Sequence, residues 1–331
     1  MKYTFDNISG NTNIVNSLKN SIVKDKVCHA YLFCGSTGIG KKLIANTFAK
    51  TLLCETGKSS PCNDCISCST FENHTHPDVI YVRTEKKSIG VDDVRDKILK
   101  EMETKPYHYK YKIFIVEDAD LMTIQAQNSI LKTIEEPSSY GIFLLLSKSE
   151  YSLLPTILSR TVKFKLKPLD PNIVYEYLLQ NVQHLNEKDA FYYALFSNGT
   201  IGYAEKLTAN PLFDNMRGVI ISLLIKLDEY DLSTIFKKCK ELEDFKDLSD
   251  ELLELMNLWF RDLLVYTSTQ NEHLILQKNL TDQIIAKSEK SSIPSVVKNF
   301  QYIRNAKEEL GRYANFQMVM EVLLLNLKQK V

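Results

Sequence analysis

Tyr31-Leu-Phe-Cys-Gly35-Ser-Thr-Gly38-Ile-Gly40-Lys41-Lys42 decides the fold. An apolar run feeds a glycine-rich turn, and the turn opens a run of helical character, Lys42 to Leu53. This is the layout of G-x-x-x-x-G-K-[ST], in which backbone N–H groups cradle phosphates at a helix N-terminus. Gly35, Gly38, Gly40 and Lys41 are the candidate nucleotide contacts. The residue after the lysine should carry a hydroxyl for Mg²⁺, and here it is Lys42, an ammonium that cannot ligate a cation. A strand-to-helix turn that keeps its glycines for geometry alone explains the same residues. Static nucleotide contact therefore stays open, and hydrolysis by this chain is not expected.

Outward from the loop, apolar strands alternate with helical patterns. Val27 to Cys34, Pro77 to Arg83, Lys112 to Glu117, Ile142 to Leu146 and Val162 to Leu166 read as strands. Lys42 to Leu53, Val91 to Glu103, Ala126 to Glu136 and Ile157 to Arg160 read as helices between them. Alternation of this kind predicts an α/β fold with a parallel, doubly wound sheet. After Pro168 the pattern becomes helical, with helices at 172–182 and 189–196 and a break at Ser197-Asn-Gly199. From Asn210 onward the chain reads as wholly helical apart from a polar loop at 287–295. Leu252, Leu255, Trp259, Leu263 and Tyr266 make an apolar stripe at helical spacing, and a stripe of that kind predicts core packing.

The bulk numbers narrow the class. The chain has 331 residues, 44% hydrophobic and 25% charged, which suits a globular protein of two or three domains. Lys+Arg and Asp+Glu are 41 each, so the basic excess expected of a general nucleic-acid coat is missing. No apolar run approaches the roughly 20 residues of a membrane span, and the first residues lack a signal core. A cytoplasmic protein is expected.

A nucleoside triphosphatase needs an acidic pair at the end of a neighbouring strand, Asp for Mg²⁺ and then Glu for the attacking water. The candidate pair is Glu117-Asp118, in swapped order. Glu117 still reaches toward a hydrated metal in this reading, but Asp118 is one methylene short of the water-orienting position. A solvated strand end is the plainer alternative.

Cys54-x7-Cys62-x2-Cys65-x2-Cys68 is the most specific chemical signal. Four thiolates in one short loop close a tetrahedral Zn²⁺ site and leave no open position, so a structural metal is expected. An iron–sulfur cluster is the rival, and disulfides are disfavoured in a reducing compartment. His74 and His76 lie beside a shell the cysteines already complete and read as surface or turn residues.

Several stretches then resemble bacterial clamp-loader subunits of the AAA+ class. They are His29-Ala-Tyr-Leu-Phe before the loop, the four-cysteine insert, Thr75-His-Pro-Asp78, Thr104-Lys-Pro-Tyr107, Asn128-Ser-Ile-Leu-Lys-Thr-Ile-Glu-Glu-Pro137 and Leu158-Ser159-Arg160. The likeness is strong to about residue 210 and looser to the end, where Asn315-Phe-Gln-Met-Val-Met-Glu-Val-Leu-Leu-Leu resembles a last collar helix.

The resemblance implies three parts: a P-loop sheet domain at 1–167 with the zinc insert at about 54–75, a small helical lid at 168–210, and an all-helical collar at 211–331. It implies a ring of five with motor subunits and a delta subunit, working on a sliding clamp and primer–template DNA. A motor subunit keeps Gly-Lys-Thr, an Asp-Glu pair and a γ-phosphate-sensing arginine; the matching positions here are Lys41-Lys42, Glu117-Asp118 and Gly202. All three depart from the motor pattern, so the resemblance points to the stator type of subunit. Ser159-Arg160 is then the arginine finger offered in trans to a neighbour, with Thr161 where the family has cysteine. The alternatives are an active motor subunit, a free-standing P-loop ATPase or nucleotide kinase, and a zinc-dependent DNA-binding protein.

Overall fold

In a computed structural model the chain is described over residues 3–56, 59–84, 86 and 88–328. The ends of the expected first and last domains, at 1–2 and 329–331, and residues 57–58 of the insert lie outside the described residues. Five strands, β1 Ala30–Cys34, β2 Val79–Val82, β3 Lys112–Val116, β4 Gly141–Ser147 and β5 Val162–Lys165, form one sheet in the order β2-β3-β4-β1-β5. Every pairing is parallel. β1, β3 and β4 are buried along their whole length, as central parallel strands must be when both faces are covered. One face packs Phe33, Phe48, Ile113 and Leu144, and the other packs Leu32, Ile98, Phe114 and Ile130.

β5 is different because it is an edge. Val162 and Phe164 are half-buried, whereas Lys163 and Lys165 point out to solvent. β1 begins at Ala30 rather than Val27, and just before it the Cys28 N–H is taken by the Tyr31 hydroxyl at 2.8 Å instead of a neighbouring strand.

Two compact units divide the chain: 1–185 with 196–205, and 186–195 with 206–331. The residues expected as a separate lid, 168–210, are shared between them.

The second unit is helical. Ser249–Thr269 runs through it, packed on Pro211–Lys226, Thr281–Ser288 and Ile293–Gly311, and the last of these packs on Phe316–Lys328. Leu252, Leu255, Trp259 and Leu263 are buried, so the apolar stripe is the core of this unit. The polar loop expected at 287–295 is narrowed to 289–292: Thr281–Ser288 ends before it, and Ile293–Gly311 starts after it with Ser292 as its N-cap. A capping serine and a first-turn Pro294 begin a helix, although in the sequence they look like breakers. Among the described residues no helix is long and apolar enough to cross a membrane.

Candidate functional site

The glycine loop leaves β1 and enters the helix Lys41–Leu53. Gly38 and Gly40 adopt φ +80° and +101°, backbone that side chains disfavour. At Gly38 space is also short, because an added Cβ would lie 2.8 Å from Tyr203 N. The crowding comes from the N-terminus of the helix Ile201–Thr208, whose Gly202 N donates to Gly38 O at 3.0 Å. Position 202, where a γ-phosphate-sensing arginine was the comparison, thus touches the loop with its backbone.

Lys41 turns into the loop. Its Nζ donates to the carbonyls of Gly35 at 2.5 Å and Ser36 at 2.9 Å. Burial pulls its pKa below the ordinary lysine value, opposed by the charges of Asp118 and Asp120. Lys42 Nζ lies 3.1 Å from Glu117 Oε1, and Arg83 Nε donates to the same oxygen at 2.8 Å. The Glu117 carboxylate is therefore held by two cations of its own chain. Asp118 is exposed and left-handed at φ +49°, and its carbonyl accepts from Leu121 N, so it is the pivot of a turn. Glu117, expected to reach toward a hydrated metal, here faces the Lys42 ammonium and the Arg83 guanidinium. Arg83, stacked 4.5 Å over the Tyr81 ring, was not legible as a member of this site.

A cavity of 440 Å³ opens beside the loop, walled by Tyr3, Ile8, Gly40, Lys42, Tyr177 and Glu205. Tyr177 donates to Glu205 at 2.8 Å; burial and this carboxylate push the phenol up to about 12.

The four cysteines Cys54, Cys62, Cys65 and Cys68 come together, with their sulfurs within 4.8 Å of one another. A tetrahedral zinc shell with Zn–S bonds of about 2.3 Å has edges of about 3.8 Å, and Cys62 and Cys68 sulfurs are 3.9 Å apart. Cys62 N donates to Cys54 Sγ at 3.3 Å, Cys65 N to Cys62 Sγ at 3.4 Å, and Cys68 N to Cys65 Sγ at 3.4 Å. Such bonds favour thiolates: backbone donors at Asp64 and Cys65 bring Cys62 down to about 6, whereas burial raises Cys68. All seven cysteines are free thiols, so the cluster can bind a metal.

The insert holds a helix, Ile66–Glu72, that the sequence reading did not separate. Buried Lys50 reaches out of the loop's helix to Glu72 and, at 2.7 Å, to Asn63 Oδ1. Glu72 also accepts from Tyr3 N at 3.0 Å. His74 is exposed as expected, but His76 is buried: its Nδ1 accepts from Asp78 N at 3.1 Å, and its Nε2 pairs with Ser67 Oγ at 3.1 Å. Buried Asp78 in turn accepts from Tyr107 N at 2.7 Å. Thr75-His-Pro-Asp78 is thus a tie between the insert and the sheet.

On the other helix layer, Thr123 caps Ile124–Glu135. Buried Gln127 bridges Met122 O, Ser152 O and Leu154 N, which fixes the approach to the short helix Pro155–Leu158. Ser159 and Arg160 follow it, both exposed. Arg160 Nη1 donates to Thr156 O at 3.0 Å and Ser159 Oγ at 3.1 Å, and its Nη2 lies 3.0 Å from Glu135 Oε1.

Residues 10–170 match the family described as DNA polymerase III, delta subunit. DNA polymerase III subunit delta' of Bacillus subtilis (strain 168) is 30% identical over 319 residues, 96% of this chain and 95% of its own. DNA polymerase III subunit tau of the same organism is 26% identical over 348 residues, 98% of this chain but 61% of its own. DNA polymerase III subunit gamma of Buchnera aphidicola subsp. Baizongia pistaciae (strain Bp) is 26% identical, covering 98% of this chain and 94% of its own.

Proposed function

From a chain that belongs to the DNA polymerase III delta' family of clamp-loader subunits, we infer a stator: a subunit that completes a neighbour's ATPase site without running one of its own. The protein is a delta'-type component of the clamp loader in DNA replication. The observation that carries the stator reading is the Lys42–Glu117 ion pair at 3.1 Å. In a motor, a hydroxyl and a carboxylate at this place converge on Mg²⁺. Here an ammonium faces the carboxylate, and the two cancel. Asp118 is the pivot of a turn at the strand end, and Lys41 spends two of its donors on the loop's own carbonyls. Static nucleotide occupancy of the neighbouring cavity is compatible with this reading, whereas turnover is not.

Arg160 is the group this chain contributes to catalysis. It stands exposed at the end of a well-braced segment, and a planar guanidinium there suits charge developing on a neighbour's γ-phosphate. The remaining parts support assembly. The four cysteines hold a structural Zn²⁺, and the helical residues 211–331 act as the collar of a five-subunit ring with motor and delta subunits. The apolar groove between Ile293–Gly311 and Phe316–Lys328, with Met318 and Val322 exposed, suits a neighbouring collar helix. We retain 1–167, 168–210 and 211–331 as the functional division, in a cytoplasmic complex that opens a sliding clamp and sets it on primer–template DNA.

The test is a reconstituted loader. The isolated chain should hydrolyse ATP at background, and adding it to motor and delta subunits should raise clamp- and DNA-stimulated ATPase. Arg160→Ala should assemble normally and lose much of that gain. Turnover by the lone chain that disappears in Lys41→Ala would favour the motor reading instead.

A further inference from the structure

Glu135 ends the helix Ile124–Glu135. A carboxylate at a helix C-terminus sits at the negative end of the peptide dipoles, so the helix gains nothing from it. Its partner is Arg160 Nη2 at 3.0 Å. The other two bonds of the guanidinium, to Thr156 O and Ser159 Oγ, stay within Arg160's own helical turn. They fix one edge of the fork locally. Glu135 comes from a different helix, so it sets the direction in which the fork leaves that turn. Both side chains are partly open, 38% and 43% exposed, so a phosphate can approach the free edge of the guanidinium without dismantling a core.

We propose that Glu135 is a positioning residue for Arg160, orienting the guanidinium for a nucleoside triphosphate bound by the adjacent subunit. This rests on Arg160 acting in trans. An arginine whose plane is set in advance loses less rotamer freedom when it meets the phosphate. An exposed ion pair of this kind adds little to stability, so the contribution of Glu135 is to direction and not to folding.

A double-mutant cycle in the reconstituted loader tests this, with clamp- and DNA-stimulated ATPase as readout and size-exclusion chromatography and a thermal melt as controls. Glu135→Ala should lower the rate about 3- to 10-fold, as directly coupled neighbours do, with assembly and melting unchanged. Glu135→Gln keeps an acceptor without the charge and should fall between. In an Arg160→Ala background, Glu135→Ala should have no further effect. An equal loss in both backgrounds overturns the proposal and leaves Arg160 as the finger. No loss, or a gain, from Glu135→Ala alone also overturns it. Full activity in Arg160→Ala removes the trans reading, and the proposal with it.

Discussion

Gly202 and Gly38 meet backbone to backbone, with Gly202 N donating to Gly38 O at 3.0 Å. The contact holds the start of a helix against the phosphate-type loop, and each glycine admits the other. A Cβ on Gly202 would lie 3.0 Å from Gly38 O, and one on Gly38 would lie 2.8 Å from Tyr203 N on backbone that already disfavours a side chain. Gly38→Ala should therefore cost more than Gly202→Ala. Gly40→Ala meets open space and should lose only the left-handed penalty, about 1–2 kcal/mol. Thermal melts of the three variants should rank Gly38→Ala below the other two, and a neutral Gly38→Ala would show that the loop moves freely.

Lys42→Thr should not create an ATPase. The substitution restores the hydroxyl, yet Glu117 stays engaged by Arg83 and Asp118 stays at the turn. Stability should change by no more than about 1 kcal/mol, because the lost ion pair is solvent-exposed on the lysine side. Phosphate release by the purified variant is the measurement, and a rate well above background would count against the second defect.

Zinc should be present at one per chain, and its removal should loosen the insert more than the helical unit. Elemental analysis of protein purified without added metal checks the first statement. Hydrogen exchange after chelation checks the second, with 54–75 the segment expected to lose protection. Iron with visible absorbance would overturn the zinc assignment.

Lys50 and Glu72 should respond asymmetrically. Lys50 is fully buried and Glu72 partly open. Glu72→Ala strands an ammonium in the interior and should cost about 3–5 kcal/mol. Lys50→Met removes the buried charge and leaves Glu72 access to water, so about 1–2 kcal/mol is expected. The pair also has a pH signature. Burial alone would raise the Glu72 carboxyl, but the bonds from Lys50 and Tyr3 N outweigh it and hold it below its ordinary 4.5. Its contribution is fully present above that value and fades as pH falls through the lowered folded value. The stability gap between wild type and Glu72→Gln should be flat near neutrality and close in acid.

Met318 and Val322 stand exposed on the last helix, beside an apolar groove of 330 Å³. Val322→Asp should leave the fold intact, because the side chain faces outward, while weakening ring assembly at least about tenfold. Size-exclusion chromatography with the partner subunits decides this, and an unchanged complex would move the collar contact elsewhere.

Local signals carried the sheet and the metal cluster into the sequence reading. The loop glycines, the buried strands and the cysteine spacing each depend on residues within a few positions of one another. What escaped was long-range. Arg83 joins Glu117 only because β2 lies beside β3. Lys50, in the middle of a helix, gives no sign that it will be sealed by an insert 22 residues on. The stripe through Leu252 and Trp259 was readable as apolar, and its place at the centre of the helical unit was predicted by periodicity. The exposed face of the last helix was not, because Met318 and Val322 look like their buried neighbours Met320 and Leu323 in any apolar run.

The lysines on β5 bear on how this chain survives before it is assembled. A free edge strand offers its unpaired N–H and C=O groups to any other chain, a second copy of itself included. Lys163 and Lys165 would bring like charges together across such a pairing, while Val162 and Phe164 remain available to the protein's own interior. The edge can stay open without becoming a seed for fibrils. Replacing both lysines with valine would leave the native sheet its partners and turn the monomer pool toward insoluble aggregates.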